Sequence, residues 1–326
     1  MAGFFHNPAQ PRFSVVMPVF NGERYMREAI ESVLRQSYPA FELIVVDDGS
    51  TDRTAQIVEQ FSRQFPILYA RQDNQGPAAA RNRGAALARG DWLAWLDADD
   101  VWLEQKLLTH RDHIMAGPDA VFLWSDWIYV DDRGEPIRRR PDNAPFASAV
   151  FGRPIFPIPS SVSVLKDVFT RTRGFDPRLR YAEDVECFAR IARDFPVQFI
   201  ARPLVRYRTH PTQLHMNLFM AAEQWPAVHR ALAHLWRGDA EKLRALAEHS
   251  ARRYTRVGRD FLLAGEYRRA RHFFRRSFKE KPFHWPNLRR WLLSYLPPLR
   301  EYYRRGKKTS LRMDAGQASP SERIAP

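Results

Sequence analysis

The chain has 326 residues, enough for one large α/β domain with an appendage or for two domains. Hydrophobic residues make up 44%, which permits a real core, and no apolar run reaches about 18 residues, which argues against a transmembrane helix. The net charge of +14 attracts anions, whether nucleic acid, phosphorylated substrates or anionic lipid, without choosing among them.

Residues 1–12 lack the charged start and long apolar region of a secretory signal and are expected to form a loose tail. The single cysteine, Cys187, excludes an internal disulfide and fits a reducing, cytoplasmic setting. Residues 13–21 then read as a buried strand running into a turn, with Pro18 stopping the strand and Asn21-Gly22 making the turn. Residues 23–36 have helical spacing. Residues 41–46 form a second apolar run that ends in Asp47-Asp48-Gly49-Ser50-Thr51-Asp52, where Ser50, Thr51 or Asp52 would cap a helix over 53–65. A short strand at 67–70 and a helix over 78–88 follow. The fourth strand, Trp92 to Leu96, breaks into Asp97-Ala98-Asp99-Asp100.

Repeated strand–helix alternation with short connections argues for an open, mostly parallel sheet covered by helices. Ligands bind such sheets outside the carboxyl ends of the strands. Three of those ends carry conspicuous groups: Phe20-Asn21, Asp47-Asp48, and Asp97 to Asp100. Three like charges within four residues repel, and burial would raise their pKa values. A hard divalent cation would relieve both, whereas a solvated acidic loop is the plainer alternative.

Three segments, VVMPVFNGERYMREAIESVLRQSYPAFELIVVDDGSTDRT, NQGPAAARNRGAALARGDWLAWLDADD and GFDPRLRYAEDVECFARI, resemble in order and spacing the signature blocks of family 2 glycosyltransferases of the GT-A fold. The resemblance spans roughly residues 13–210 and implies an inverting glycosyltransferase. Asp97 and Asp99 resemble the Asp-x-Asp motif, which in this family holds Mn2+ or Mg2+ on the diphosphate of a nucleotide-sugar donor. Asp100 would cap the next helix or adjust the site. Asp48, next to Asp47, resembles the aspartate that hydrogen-bonds the base, and Pro18, Phe20 and Asn21 resemble the other wall of that pocket; Phe20 reads equally well as core. Arg81 resembles the basic residue that reaches phosphate or sugar hydroxyls, against the alternative of a solvated helix arginine. Glu183-Asp184 resembles the family's acidic pair, with Asp184 as general base. His210 occupies a position where relatives offer a metal or phosphate contact, and Arg208 would pair with diphosphate. Both alternatives for His210, metal ligand and surface histidine, stay open. Ser125 and Asp126 fall near the expected acceptor side.

Between these blocks, 103–115 reads as helix, 121–130 as strand, 131–134 as a turn, 138–151 as a mobile loop, 160–164 as strand, 182–194 as helix and 197–207 as strand. From about 214 the pattern turns helical, and 251–282 resembles one tetratricopeptide-like hairpin. The organisation expected is a tail (1–12), a GT-A domain (13–213), a helical extension with a basic aromatic segment (214–305) and a disordered tail (306–326). The donor expected from the resemblance is a UDP-sugar, and the acceptor a glycan or lipid-linked hydroxyl in bacterial surface polysaccharide synthesis. The segment 282–305 would either lie on an anionic membrane surface, at the inner face of the plasma membrane, or pack on the domain. Nothing reads as a nucleic-acid module. Two rival classes are a sugar nucleotidyltransferase, for which the Gly-rich loop with lysine is missing, and a non-catalytic nucleotide-sugar-binding relative.

Overall fold

The computed structural model describes residues 10–117, 119–137, 145–153, 155–210, 218–282, 290–292 and 294–295. The N-terminal tail through residue 9, the first half of the 138–151 loop, most of the basic aromatic segment and the tail from 306 onward lie outside the described residues. Contacts divide the chain into two compact units, Met1–Leu243 and Arg244–Pro326.

In the first unit the apolar runs become β1 (Phe13–Val19), β2 (Glu42–Asp47), β3 (Ile67–Arg71) and β4 (Trp92–Trp95), all mutually parallel in the order β3-β2-β1-β4. Every residue of β1, β2 and β4 is buried, which is why these strands read as continuous apolar runs and not as alternating ones. Helices α1 (Met26–Leu34), α2 (Thr54–Ser62) and α3 (Pro77–Leu87) connect them. Asp52 accepts from the Thr54 amide at 3.0 Å, so it is the residue that meets the start of α2. Helix α3 is alanine-rich because it lies hard against the sheet: a Cβ on Gly84 would come within 2.2 Å of Val16.

The chain continues through β5 (Val101–Trp102), α4 (Lys106–Ala116), β6 (Phe122–Val130), α5 (Pro145–Phe151), a 3-10 turn at Pro159–Ser161, β7 (Val162–Leu165), α6 (Lys166–Arg171), α7 (Glu183–Asp194), β8 (Val197–Arg208) and α8 (Leu218–Leu235). The sheet order is β3-β2-β1-β4-β7-β6-β8-β5. Strand β7 runs antiparallel to both β4 and β6, while β6 and β8 are parallel to each other. Strands β6 and β8 therefore regain the direction of β1, and their carboxyl ends open at the same edge as those of β1, β2 and β4. The expected mostly parallel α/β sheet is what forms, with β7 and β5 as its antiparallel members.

Pro18 does not stop β1; it lies within the strand, opposite Val46. The Val16 carbonyl accepts from the Leu96 amide just past β4, so two residues on, Pro18 faces the side where β4 has ended and no ladder bond is lost. An aromatic chain, Trp95–Phe175–Phe188–Phe122, runs through the core with ring centroids 5.2, 5.9 and 5.2 Å apart, beneath the edge where the site lies.

The second unit is a helical hairpin. It contains α9 (Ala240–Leu263) from Arg244 onward and α10 (Tyr267–Glu280). The helices turn at Gly265, whose φ of 83° suits glycine. Leu262, Ala270 and Phe274 form a core of their own.

Candidate active site

The end of β4 carries the acidic loop, and every carboxylate in it has a different fate. Asp100 is fully buried. It accepts from the Arg208 amide at 3.0 Å and from the Ser160 hydroxyl at 2.5 Å. Burial, with Asp99 and Asp97 nearby, holds its pKa well above the usual carboxylate range. It does not cap α4, which begins after Gln105. Asp97 and Asp99 are partly exposed, with side chains 24% and 28% accessible.

Asp97 faces Arg81. The Arg81 guanidinium, projecting from α3, donates to Asp97 at 2.6 Å through Nη2 and to Glu183 at 2.7 Å through Nη1. It is only 4% exposed and lies 5.4 Å from the Phe175 ring centroid, so it is a buried bridge and not a solvated helix arginine. Burial opposes its charge, and the two carboxylates more than offset that, so its pKa rises. Both of these donor groups are turned on protein carboxylates, not outward on open space.

Glu183 and Asp184 open α7. The preceding Ala182 sits in the left-handed region, with φ 53°, a strained setting for a residue with a Cβ. Glu183 is buried on Arg81, and Asp184 is half-buried beside it. Burial and then the Glu183 charge push the Asp184 pKa up to about 7. A carboxylate poised there can exchange a proton near neutral pH.

Asp99 faces His210, with Oδ2 and Nε2 3.0 Å apart. His210 is 8% exposed, which excludes a surface histidine, and its ring packs 4.9 Å from Tyr25. Arg208 is buried and spends its fork on the Asp99 carbonyl at 2.9 Å and Glu28 at 2.6 Å, so it braces the acidic loop. Asp99 and His210 offer one carboxylate oxygen and one imidazole nitrogen on a single side. Among the described residues no group of three His, Cys, Asp or Glu is placed to hold a metal ion, so these two side chains leave most of the coordination open. Such an open donor set suits a divalent cation that takes its remaining ligands from phosphate and water.

The third group knits the ends of β1 and β2. Phe20 is 52% exposed, which excludes a core role. Asn21 holds φ 52° and accepts from the Thr51 amide at 2.8 Å. Asp47 is buried, accepting from the Ser50 amide at 2.7 Å and the Tyr69 hydroxyl at 2.6 Å. Asp48 accepts from Gln72 at 2.8 Å and from the Gln75 and Gly76 amides at 2.9 and 2.8 Å, so it anchors the loop that leads into α3. A Cβ on Gly22 would lie 3.7 Å from that of Ala98, which sets this turn against the acidic loop.

Sequence reasoning missed Ser160, whose hydroxyl meets Asp100 and the Asp97 amide from more than fifty residues away. It also missed the buried pair Lys106 and His110 in α4. Ser125 is buried, and Asp126 accepts from the Trp127 amide at an irregularity between β6 and β8.

The family model described as Glycosyl transferase family 2 matches residues 14–172. An uncharacterized glycosyltransferase of Nostoc is 30% identical over 234 residues, covering 68% of this chain and 71% of that one. A Bacillus subtilis protein that bears the name "Putative teichuronic acid biosynthesis glycosyltransferase TuaG" is 27% identical over 233 residues, covering 69% of this chain and 90% of that one. Among solved structures, S. aureus TarS 1-349 in complex with UDP-GlcNAc superposes with a TM-score of 0.65 at 19% identity, over 90% of this chain and 92% of that one. That likeness shows the fold, GT-A, with helices continuing beyond the sheet.

Proposed function

From the premise that this chain belongs to glycosyl transferase family 2, and is a glycosyltransferase, we propose that it transfers a sugar with inversion from a UDP-sugar to a hydroxyl of a glycan or lipid-linked acceptor. The observation that carries this reading is the Arg81 bridge, which joins Asp97 of the acidic loop to Glu183 beside the poised carboxylate of Asp184. One end of the bridge suits the cation of a leaving diphosphate, and the other a proton acceptor.

The exposed face of Phe20 would stack on the base, with Pro18, Asn21, Asp47 and Asp48 forming and bracing that pocket. Asp99, His210 and Asp97 would hold Mn2+ or Mg2+ on the diphosphate. When bound, the cation offsets charge that grows on the diphosphate as the glycosidic bond breaks. Asp184 would take the proton of the acceptor hydroxyl as its oxygen forms a bond to the anomeric carbon. The diphosphate departs from the opposite face with the bonding electron pair, so the configuration inverts. Arg81 keeps Asp97 and Glu183 compensated in a buried setting and so fixes the distance between the two halves of the reaction.

The UDP preference draws support from TarS, solved with UDP and with UDP-GlcNAc. A role in bacterial surface polysaccharide synthesis draws support from the name of the Bacillus relative. A thermal-shift series of nucleotide sugars tests the donor. UDP-sugars with Mn2+ should raise the melting temperature above that given by GDP- or dTDP-sugars, as a ligand of the native state must. Equal or absent shifts for all of them would overturn it.

Among the described residues no helix is long and apolar enough to cross a membrane. Residues 244–282 nevertheless carry twelve Arg and Lys against four Asp and Glu. We propose that this basic character adds to that of the segment 282–305, which holds the enzyme on anionic lipid where a lipid-linked acceptor would be met. Co-sedimentation with anionic vesicles should fall when the chain is cut before Pro282, and unchanged binding would assign the basic segment another role.

A further inference from the structure

The acidic loop is held by a hydroxyl with no place in the family resemblance. Ser160 lies in the 3-10 turn Pro159–Ser161 and is fully buried. Its Oγ donates to Asp100 Oδ2 at 2.5 Å and accepts the Asp97 amide at 3.1 Å. One oxygen atom therefore ties the first and last residues of the Asp97–Asp100 loop.

The turn that carries this hydroxyl is itself held from behind. The Trp102 indole Nε1 donates to the Ser160 carbonyl at 2.8 Å. The next carbonyl, that of Ser161, accepts from Lys106 Nζ at 3.0 Å. Lys106 is fully buried, and its other polar neighbour is His110 Nε2 at 2.8 Å. A buried amine without a carboxylate is costly to fold. The amine holds the Ser161 carbonyl, and with it the turn that carries Ser160.

We propose that Ser160, backed by Trp102 and Lys106, is a positioning residue that fixes the acidic loop in the conformation in which Asp97 and Asp99 receive the donor diphosphate and its cation. The proposal rests on the donor-site reading above. Three anchors act on the loop backbone or its last residue: Ser160 on the Asp97 amide, Arg208 on the Asp99 carbonyl, and Asp100 itself through Ser160 and the Arg208 amide. Within the loop the Asp100 amide donates to the Asp97 carbonyl at 3.0 Å, and Ser160 joins the same two ends from outside it. Without its hydroxyl, the Asp97 amide and Asp100 both lose a partner, and the loop between them can relax while the sheet below stays packed.

The test compares full-length Ser160→Ala with Ser163→Ala. Ser163 is equally buried as the second residue of β7, and its hydroxyl has no hydrogen-bond partner among the described residues, so it controls for the bare loss of an oxygen atom. Mn2+ binding in the presence of UDP is read from the electron paramagnetic resonance signal of free Mn2+, alongside donor KM, kcat and melting temperature. Ser160→Ala should weaken Mn2+–UDP binding by about 10–100-fold and raise donor KM more than it lowers kcat, while Ser163→Ala matches wild type. Lys106→Met should act in the same direction, less strongly. Wild-type affinity in Ser160→Ala overturns the positioning role. If Ser160→Ala does not fold, unchanged affinity in Lys106→Met overturns it instead. A wild-type chain that binds neither Mn2+ nor UDP overturns the donor-site reading, and this proposal with it.

Discussion

The Arg81 guanidinium stands 2.7 Å from the Glu183 carboxylate across 102 residues of chain, and its other arm reaches Asp97. A buried cation between a buried carboxylate, Glu183, and a partly exposed one, Asp97, is a unit that cannot lose its centre cheaply. Arg81→Met should destabilise the fold by about 3–5 kcal/mol, measured by urea unfolding, because it strands the buried Glu183 carboxylate without a counter-charge. Arg81→Lys should recover only part of this, since one ammonium cannot reproduce a planar fork. An unchanged urea midpoint in Arg81→Met would show that the bridge contributes nothing to the fold.

Phe20 makes a contrasting prediction, because its ring is 52% exposed. Phe20→Ala should leave the melting temperature nearly unaltered and weaken UDP binding by about 1–3 kcal/mol, the usual worth of a base stacked on an aromatic ring. Calorimetric titration with UDP checks this. A large loss of stability with normal UDP affinity would return Phe20 to a packing role.

The Asp184 carboxyl, raised to about 7, predicts the pH behaviour in two ways. As a base it works only when ionised, so kcat/KM should fall about tenfold per pH unit below about pH 7. The stability effect has the opposite sign. A carboxyl whose folded pKa exceeds its unfolded value binds more protons when folded, so its contribution is favourable at low pH and is lost as pH rises from about 4 to about 7. Asp184→Asn should therefore be more stable than wild type at pH 8, by about 0.5–2 kcal/mol, with the difference vanishing near pH 4. Thermal unfolding across that range reads it directly.

These predictions combine features that differ in how legible they are from sequence. The strands β1, β2 and β4 are readable because burial on both faces makes them unbroken apolar runs, and the carboxylates after β2 and β4 are readable because they fall at the carboxyl ends of parallel strands. The two-residue β5 is not readable, since it is a strand only through its pairing with Arg206 and Val205 of β8. The antiparallel sense of β7 is likewise set by partners far along the chain. Arg81 looks like a solvated arginine locally, because α3 is alanine-rich and shows no contrast between its faces; only the close approach to the sheet marked by Gly84 betrays the burial. Ser160 carries no local signal of its role: it reads as the start of the strand over 160–164, and its meaning comes from Asp97 and Asp100.

His210 tests the cation side. Its Nε2 faces Asp99 Oδ2 at 3.0 Å, and the ring is buried against Tyr25. His210→Gln should weaken Mn2+-dependent UDP binding by at least about tenfold, while the weak binding that remains in EDTA stays as in wild type. Titrations of UDP with and without Mn2+ decide it. An equal loss in both conditions would assign His210 to the phosphate or to packing, and not to the cation.

The most direct measurement is sugar transfer and UDP binding by Asp184→Asn on one preparation, at a pH above 7. The variant keeps the size of the side chain and removes its capacity to accept the acceptor's proton. Transfer should fall by about 10^2–10^4-fold while Mn2+-dependent UDP binding stays at the wild-type level. Full transfer activity in Asp184→Asn would contradict the assignment of the base, and with it the three-part arrangement of base pocket, diphosphate site and proton acceptor.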